Sequence, residues 1–146
     1  MVPLIVVERS FDQLDAASLL AVLRLRIDVF VVEQACAYPE VDGRDDQPGT
    51  RHLWLADPDG RIASYLRVLD DGDVQRIGRV VTAPWARGRG LAGRLLAETL
   101  RRHPRETVLD AQSHLTAFYA AHGFEVDGPE FVEDGIPHVP MRRPAT

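Results

Sequence analysis

The sequence predicts a mixed α+β or α/β domain, and three observations favour it. Short strand-like runs separated by turn residues fill much of the first half of the chain. A β-branched run at residues 80–82 then leads into a loop rich in Gly and Arg, and an amphipathic helix follows at once. Helical and strand-like segments alternate after that loop, which indicates one mixed sheet. Because no linker, repeat or low-complexity segment divides residues 1–146, we expect a single domain.

The first half of the chain is predicted to contain one helical region and four strands. The helix is expected from residue 11 to 32, broken near its middle, with Asp12 or Asp15 as its N-cap. A polar loop follows to residue 50, and a loop of this length is either functional or mobile. Turn signals separate the later strands. The predicted strands are 2–8, 52–56, 61–69 and 74–81.

The second half is predicted to contain two helices and three strands. The first helix ends near Pro104, because proline cannot continue it. The second spans residues 114–121 and stops at Gly123. Asp134-Gly135 is the expected turn between the last two strands. The predicted strands are 107–111, 124–126 and 136–141, and the buried face of the first helix is predicted to hold Leu91, Leu95, Leu96 and Leu100.

Composition and charge argue against several classes of protein. A net charge of -5 argues against a nucleic-acid binder. No apolar run approaches the ~20 residues of a membrane helix, and no secretory signal pattern opens the sequence. The single Cys36 fits a reducing, cytoplasmic location. A basic middle lies between acidic flanks, which suits an anionic cofactor beside a cationic substrate, unless these are ordinary solvated charges.

The Gly- and Arg-rich loop predicts a site for a phosphate-bearing ligand. Glycines at a strand-to-helix turn let the backbone approach a ligand closely, and a helix N-terminus adds partial positive charge. A nucleoside-triphosphate loop would need a Lys, which the chain lacks. Gly88, Gly90 and Gly93 match the spacing of a dinucleotide fingerprint, but they follow several strands instead of opening a βαβ unit. A match of this kind alone is weak evidence for a dinucleotide site.

The sequence of residues 87–92, Arg-Gly-Arg-Gly-Leu-Ala, closely resembles the acyl-CoA-binding loop of the GCN5-related N-acetyltransferase (GNAT) superfamily. Residues 118–124, Phe-Tyr-Ala-Ala-His-Gly-Phe, resemble a second motif of that family at the expected distance downstream. Further stretches resemble its ElaA-like branch: residues 25–38, 40–43, 52–53 and 133–138. The resemblance implies a mixed, mostly antiparallel sheet flanked by helices, and transfer of an acetyl group from acetyl-CoA to a primary amine.

The resemblance also implies which residues hold acetyl-CoA. Backbone groups of a strand that diverges from its neighbour would pair with the pantetheine amides, and backbone N–H groups of the loop would hold the pyrophosphate by charge-assisted bonds. The strand residues are Val80, Val81 and Thr82. The loop and helix residues are Arg87, Gly88, Arg89, Gly90, Leu91, Ala92, Gly93 and Arg94. No metal-ligand spacing occurs, so no metal is expected.

Two catalytic residues are predicted. Tyr119 occupies the position where many family members place a general acid near the CoA sulfur, and its neighbour Phe118 is expected to face elsewhere because adjacent helix positions point in different directions. The general base is open, because the strand before the loop has no carboxylate; it comes from elsewhere, or a water chain carries the proton. Glu33 is the candidate from the acidic loop, with a surface acid as the alternative. Three histidines are weaker candidates: His52, His114 and His138.

The acceptor and the assembly stay open at this point. Acidic surroundings favour a small cationic amine or a peptide amine as the acceptor. A catalytically silent domain that binds acyl-CoA or a protein partner is the main alternative, and a dinucleotide-dependent oxidoreductase is the second. The sequence leaves both a monomer and a homodimer open.

Overall fold

The computed structural model describes residues 3–146, which fold around one eight-stranded sheet. The strand order is β1-β2-β3-β4-β5-β8-β6, with β7 paired to β8. All pairings are antiparallel except that of β4 with β5. The strands are β1 Ile5–Arg9, β2 Arg51–Ala56, β3 Ile62–Asp70, β4 Gln75–Thr82, β5 Thr107–Gln112, β6 Glu125–Val126, β7 Phe131–Glu133 and β8 Ile136–Arg143. The predicted mixed, mostly antiparallel sheet is confirmed; Val2, in the first predicted strand, lies outside the described residues.

The helical region before β2 is divided differently from the prediction. A short 3-10 turn at Phe11–Gln13 precedes α1, Ala16–Arg26. Asp15 is the N-cap, and its side chain accepts from the Ser18 N–H at 2.7 Å. The chain then widens into a π-helix over Ile27–Glu33, where the Gln34 N–H reaches the Val29 carbonyl at 3.0 Å. The predicted break in the middle is therefore a change of helix type.

Two helices follow β4 and β5. The first, α2, spans Leu91–Arg102, and the second, α3, spans Thr116–Ala120 after a 3-10 turn at Ser113–Leu115. A further 3-10 turn, Pro84–Ala86, precedes the glycine loop. The four leucines predicted for the inner face of α2 are all buried, which confirms that face.

The sheet lies between α1 on one side and α2 with α3 on the other. Alternate residues of β2 enter two different cores, because side chains alternate across a strand. Leu53 and Leu55 join the cluster that contains Leu95 of α2, whereas Trp54 joins the cluster that contains Val22 of α1. Burial on both faces makes the central strands rigid supports for the loops at their ends.

The last strands correct one prediction. Asp134-Gly135 does form a tight turn, with φ of 51° and 77°. It joins β7 to β8, not β6 to β8 as predicted. The short strand β7 was missed because its three residues are too few to show an alternating pattern.

Candidate active site

A gap opens between the two parallel strands at the centre of the sheet. β4 and β5 pair only at Gln75–Thr107 and Arg76–Val108, and they separate beyond those residues. The Ala83 N–H donates to the Ala63 carbonyl on β3 at 2.9 Å. Because backbone groups alternate along a strand, Val81 also faces β3. Thr82 therefore directs its N–H and C=O groups toward the gap, while the backbone of Val81 is turned away from it.

A bulge bends β4 beside this gap. Tyr65 of β3 opposes Val81, and Arg67 opposes Gly78, so one β3 residue faces both Arg79 and Val80. Arg79 has a φ of 54°, in the left-handed region that non-glycine residues rarely adopt. Bulges of this kind redirect side chains and often lie next to active sites.

The glycine loop, residues 87–90, leads from the end of β4 into α2. Gly88 and Gly90 have φ of 80° and 68°, conformations that glycine adopts without strain. The N-cap Gly90 has no side chain to cap the helix, and the first helical bond runs from the Arg94 N–H to the Gly90 carbonyl at 3.1 Å. The N–H groups from Gly88 to Gly93 have no partner among residues 3–146.

These free N–H groups at a helix N-terminus form a cradle that could hold an anion such as a pyrophosphate. The Arg94 N–H is already used, and its guanidinium donates to the Leu4 carbonyl at 2.9 Å. Gly93 serves packing as well, because a Cβ there would lie 3.5 Å from His122 Nε2 and 3.6 Å from Phe118 Cε1. Together with the open edge of β4, the cradle fits a pantetheine that carries a pyrophosphate.

The gap widens into a cavity of about 450 Å³, which we call the cleft. It is bounded by β4, β5, α3, the segment after α1 and the β7–β8 hairpin. Cys36 Sγ donates to the Asp134 carbonyl at 3.3 Å, which joins the segment after α1 to the hairpin. Side chains that line the cleft include Cys36, Asp42, Arg79, Asp110, Tyr119 and His138.

Tyr119 is buried in the wall of the cleft. Burial raises the pKa of Tyr119 to about 12, so the phenol keeps its proton at neutral pH. Its hydroxyl has no hydrogen-bond partner among the described side chains and backbone groups. Phe118 packs edge-on against it, with ring centroids 5.0 Å apart, and both contact the same core cluster. The expectation that the two rings would face different regions was wrong, because a large aromatic ring reaches across the short helix.

Glu33 lies at the end of the π-helix and does not line the cleft. Its carboxylate accepts from both terminal nitrogens of Arg87, at 2.9 and 2.8 Å. This hydrogen bond lowers the pKa of Glu33. Arg87 Nε also contacts the Thr82 carbonyl at 3.4 Å, so one guanidinium joins the open edge of β4 to Glu33.

A group of six charged residues, four of them buried, anchors the long loop after α1. We call it the charge network: Arg26, Glu40, Asp42, Asp45, Arg67 and Arg79. Arg26 is fully buried and donates to Glu40 at 2.9 Å and to Asp45 at 2.7 Å. Arg79 donates to the same Glu40 oxygen at 2.6 Å. The side chain at the β4 bulge is thus a guanidinium fixed to the loop.

The histidines occupy different surroundings. His52 is fully buried, and both ring nitrogens are used: one with the Tyr65 hydroxyl at 2.6 Å, the other with the Asp45 carbonyl at 3.0 Å. His114 is exposed, whereas His138 lines the cleft. Among residues 3–146, no three His, Cys, Asp or Glu side chains converge as metal ligands would. None of the helices formed by these residues is both long and apolar enough to cross a membrane.

Comparison with known proteins decides the family. A sequence profile described as an acetyltransferase (GNAT) domain matches residues 26–144. The chain belongs to the GNAT family. The dinucleotide-dependent alternative is therefore dropped.

Several relatives of this GNAT chain span nearly its whole length. A UPF0039 protein of Mycobacterium tuberculosis is 52% identical over 140 residues, covering 91% of this chain and 88% of the relative. The crystal structure of an acyl-CoA N-acyltransferase from Pseudomonas aeruginosa has a TM-score of 0.91 at 40% identity, covering 97% and 99%. That of Escherichia coli ElaA has a TM-score of 0.89 at 34% identity, with the same coverage. The GNAT fold of this chain is that of acyl-CoA N-acyltransferases, and its similarity to ElaA is confirmed.

Proposed function

We propose that this protein transfers an acetyl group from acetyl-CoA to a primary amine by direct attack of the amine on the thioester. The observation that carries the proposal is the cradle of free N–H groups from Gly88 to Gly93 beside the open edge of β4. The pyrophosphate would lie on this cradle, and Val80 and Thr82 would pair with the pantetheine amides. Arg87 and Arg89 would add positive charge, whereas Arg94 is committed to the Leu4 carbonyl.

Tyr119 would protonate the sulfur that leaves the thioester. Its support is burial in the cleft wall, a hydroxyl without a protein partner and a raised pKa that keeps the proton available. For Glu33 to act as the base it would first have to leave Arg87, whose two bonds hold its pKa low.

The acceptor would be a small cationic amine or a peptide amine. Four carboxylates line the cleft, but Asp42 is bound by Arg67 and Arg79, and Asp110 by Arg76 at 3.3 Å. Glu133 and Asp134, on the exposed hairpin at the cleft, form no ion pair with the described residues. Uncompensated negative charge at the opening of a cleft attracts a cation.

The experiment is release of free CoA thiol from acetyl-CoA on addition of amines: spermidine, glucosamine and a lysine-containing peptide. The proposal expects thiol release that requires an amine and an acetylated product of matching amount. Glu133→Gln should raise KM for spermidine and leave KM for acetyl-CoA unchanged. Binding of acetyl-CoA without turnover on any amine would contradict the proposal.

That outcome would favour a second candidate, a silent acyl-CoA-binding or protein-interaction domain of the same fold. One observation supports it: the bulge of β4 carries Arg79, fixed by Glu40, so no carboxylate is available there as a base. Turnover in the thiol assay separates the two candidates.

A further inference from the structure

An amine acceptor needs a base, and the carboxylates of this protein are poorly suited to that role. An alkylamine is protonated at neutral pH, since its pKa is about 10.4 in the case of lysine. Burial raises the pKa of Asp42, but the guanidinium of Arg67, which donates to it at 2.9 Å, outweighs burial. The pKa of Asp42 is therefore lowered, and its carboxylate is a weak base. Glu33 is held by Arg87 outside the cleft. A ring nitrogen inside the cleft with a free lone pair would serve better.

His138 provides such a group. It lies on β8 opposite Gln112 of β5, at the wall of the cleft that also contains Tyr119. Its Nδ1 is 2.7 Å from the Ile136 carbonyl oxygen. Because a carbonyl oxygen only accepts, the hydrogen is on Nδ1, and the neutral ring carries its lone pair on Nε2.

The ring of His138 is held in this orientation from two sides. Phe131 of β7 stacks on it, with centroids 5.8 Å apart and an interplanar angle of 21°. The bond to Ile136 fixes the tautomer in the same way that a backbone carbonyl orients many functional histidines. Nε2 has no partner among residues 3–146.

The other histidines do not meet these conditions. Both nitrogens of His52 are bonded inside the core. His103 is paired with Glu8 at 3.0 Å, and His114 and His122 do not line the cleft. Within residues 3–146, His138 is therefore the one histidine that lines the cleft.

We propose that His138 Nε2 is the general base that takes the proton from the amine acceptor. This inference rests on the proposed acetyl transfer. One proton passes from the cationic amine to Nε2, and the freed electron pair forms the C–N bond to the acetyl carbonyl carbon. The C–S bond breaks with its electron pair on sulfur, and the Tyr119 hydroxyl protonates that sulfur to the thiol. The second proton lost by nitrogen restores the Tyr119 phenol, and His138 returns its proton to solvent.

The test compares wild type with His138→Gln and, as a matched control, His114→Gln. The glutamine at 138 keeps an amide donor but cannot act as a base. We expect kcat/KM for spermidine to fall by about 10²-fold, a usual contribution of general base catalysis. The affinity for CoA and the melting temperature should stay at their wild-type values, and His114→Gln should behave as wild type.

The pH profile and the ring tautomer give independent measurements. The wild-type profile of kcat/KM against pH should contain an acid limb, because a protonated Nε2 cannot accept, and this limb should vanish in His138→Gln. The charged or titratable groups that share the cleft with His138, and are unchanged in that variant, are Cys36, Tyr38, Asp42, Arg67, Arg76, Arg79, Asp110, Tyr119, Glu133 and Asp134. Nitrogen-15 NMR of the free protein should show His138 with hydrogen on Nδ1 and none on Nε2.

The possible outcomes distinguish failure of the role assigned to His138 from failure of the proposed acetyl transfer. If His138→Gln keeps kcat/KM within about threefold of wild type while wild type releases thiol, His138 is not the general base. The proposed acetyl transfer stands in that case. An NMR spectrum that shows neutral His138 with its hydrogen on Nε2 would also overturn the assignment of Nε2 as the general base. If wild type releases no thiol with any amine, the proposed function fails and the base assigned to His138 fails with it. Restoration of His138→Ala by added imidazole would support the base directly.

Discussion

Arg87 donates both terminal nitrogens to the Glu33 carboxylate, at 2.9 and 2.8 Å, and this pair ties the glycine loop to the end of the π-helix. The same guanidinium contacts the Thr82 carbonyl on the open edge of β4. Both partners are substantially exposed, with side-chain accessibilities of 43% and 46%. An exposed pair of this kind adds little stability, but it holds a cation beside the proposed phosphate cradle.

Glu33→Gln should strengthen CoA binding, because it removes a negative charge beside the cradle and frees Arg87 for the pyrophosphate. We expect Kd for CoA to fall by about twofold to fivefold at low salt and to approach wild type at high salt. Isothermal titration measures this. Glu98→Gln is the control, because it removes ion pairs to Arg101 and Arg102 farther along α2. A loss of kcat by about 10²-fold in Glu33→Gln would instead identify Glu33 as the base.

Gly90→Ala should weaken CoA binding through strain in the cradle. Gly90 has a φ of 68°, and an added Cβ would meet no atom within 4 Å, so the cost is conformational and about 1 kcal/mol. Gly72→Ala in the β3–β4 turn carries the same type of strain, with a φ of 82° and no atom within 4 Å. Both variants should unfold at lower urea concentration, but only Gly90→Ala should raise Kd for CoA. Equal CoA affinities would show that the loop backbone does not bind the cofactor.

Arg26→Met should destabilise the protein by about 3–5 kcal/mol, because it leaves buried carboxylates without their partner. Arg26 is fully buried between Glu40 and Asp45. The matched control is Arg24→Met on the same helix, where the side chain is 82% exposed and lies 3.9 Å from Asp28. That change should stay within about 0.5 kcal/mol. Urea unfolding compares the two, and equal effects would contradict a structural role for the charge network.

The charge network should make stability depend on acid. Burial raises the pKa of Asp45, but the hydrogen bond and charge of Arg26, with help from Arg67, outweigh it and the pKa is lowered. Since the unfolded pKa is about 3.9, the contribution of Asp45 is complete above that pH and is lost as pH falls through the lower folded value.

The free energy of unfolding should therefore drop below about pH 4 in wild type, and this drop should be smaller in Asp45→Asn. Urea titrations at several pH values measure it. Asp46→Asn changes the exposed neighbouring carboxyl, which makes no hydrogen bond with the described residues, and it should keep the wild-type dependence. If Asp45→Asn keeps the full acid dependence, Asp45 is not its source.

Local pattern was enough to predict the elements that hold the candidate cofactor site. The β-branched run, the paired glycines and the leucine spacing of α2 are signals within about twenty residues of one another. The family resemblance added the divergence of β4 from its neighbour, which the two-residue pairing of β4 and β5 bears out. That divergence depends on pairing between distant segments, and no local pattern encodes it.

Two features of the site that sequence reasoning missed depend on how separate segments come together. The charge network brings Arg26, Glu40 and Arg79 together from separate segments, although the first two were already part of the ElaA-like resemblance. The sequence names His138 only as one of three histidines. Its distinction comes from the Nδ1 bond to Ile136 and from its position on the wall shared with Tyr119.

The most direct test of the central claim is release of CoA thiol from acetyl-CoA with spermidine, measured for wild type and Tyr119→Phe together with their CoA affinities. The account predicts amine-dependent release by wild type and a kcat lowered by about 10²-fold in Tyr119→Phe at an unchanged Kd for CoA, because only the proton donor is lost. An unchanged kcat at every pH would contradict the role of Tyr119. No amine-dependent release by wild type would contradict acetyl transfer itself.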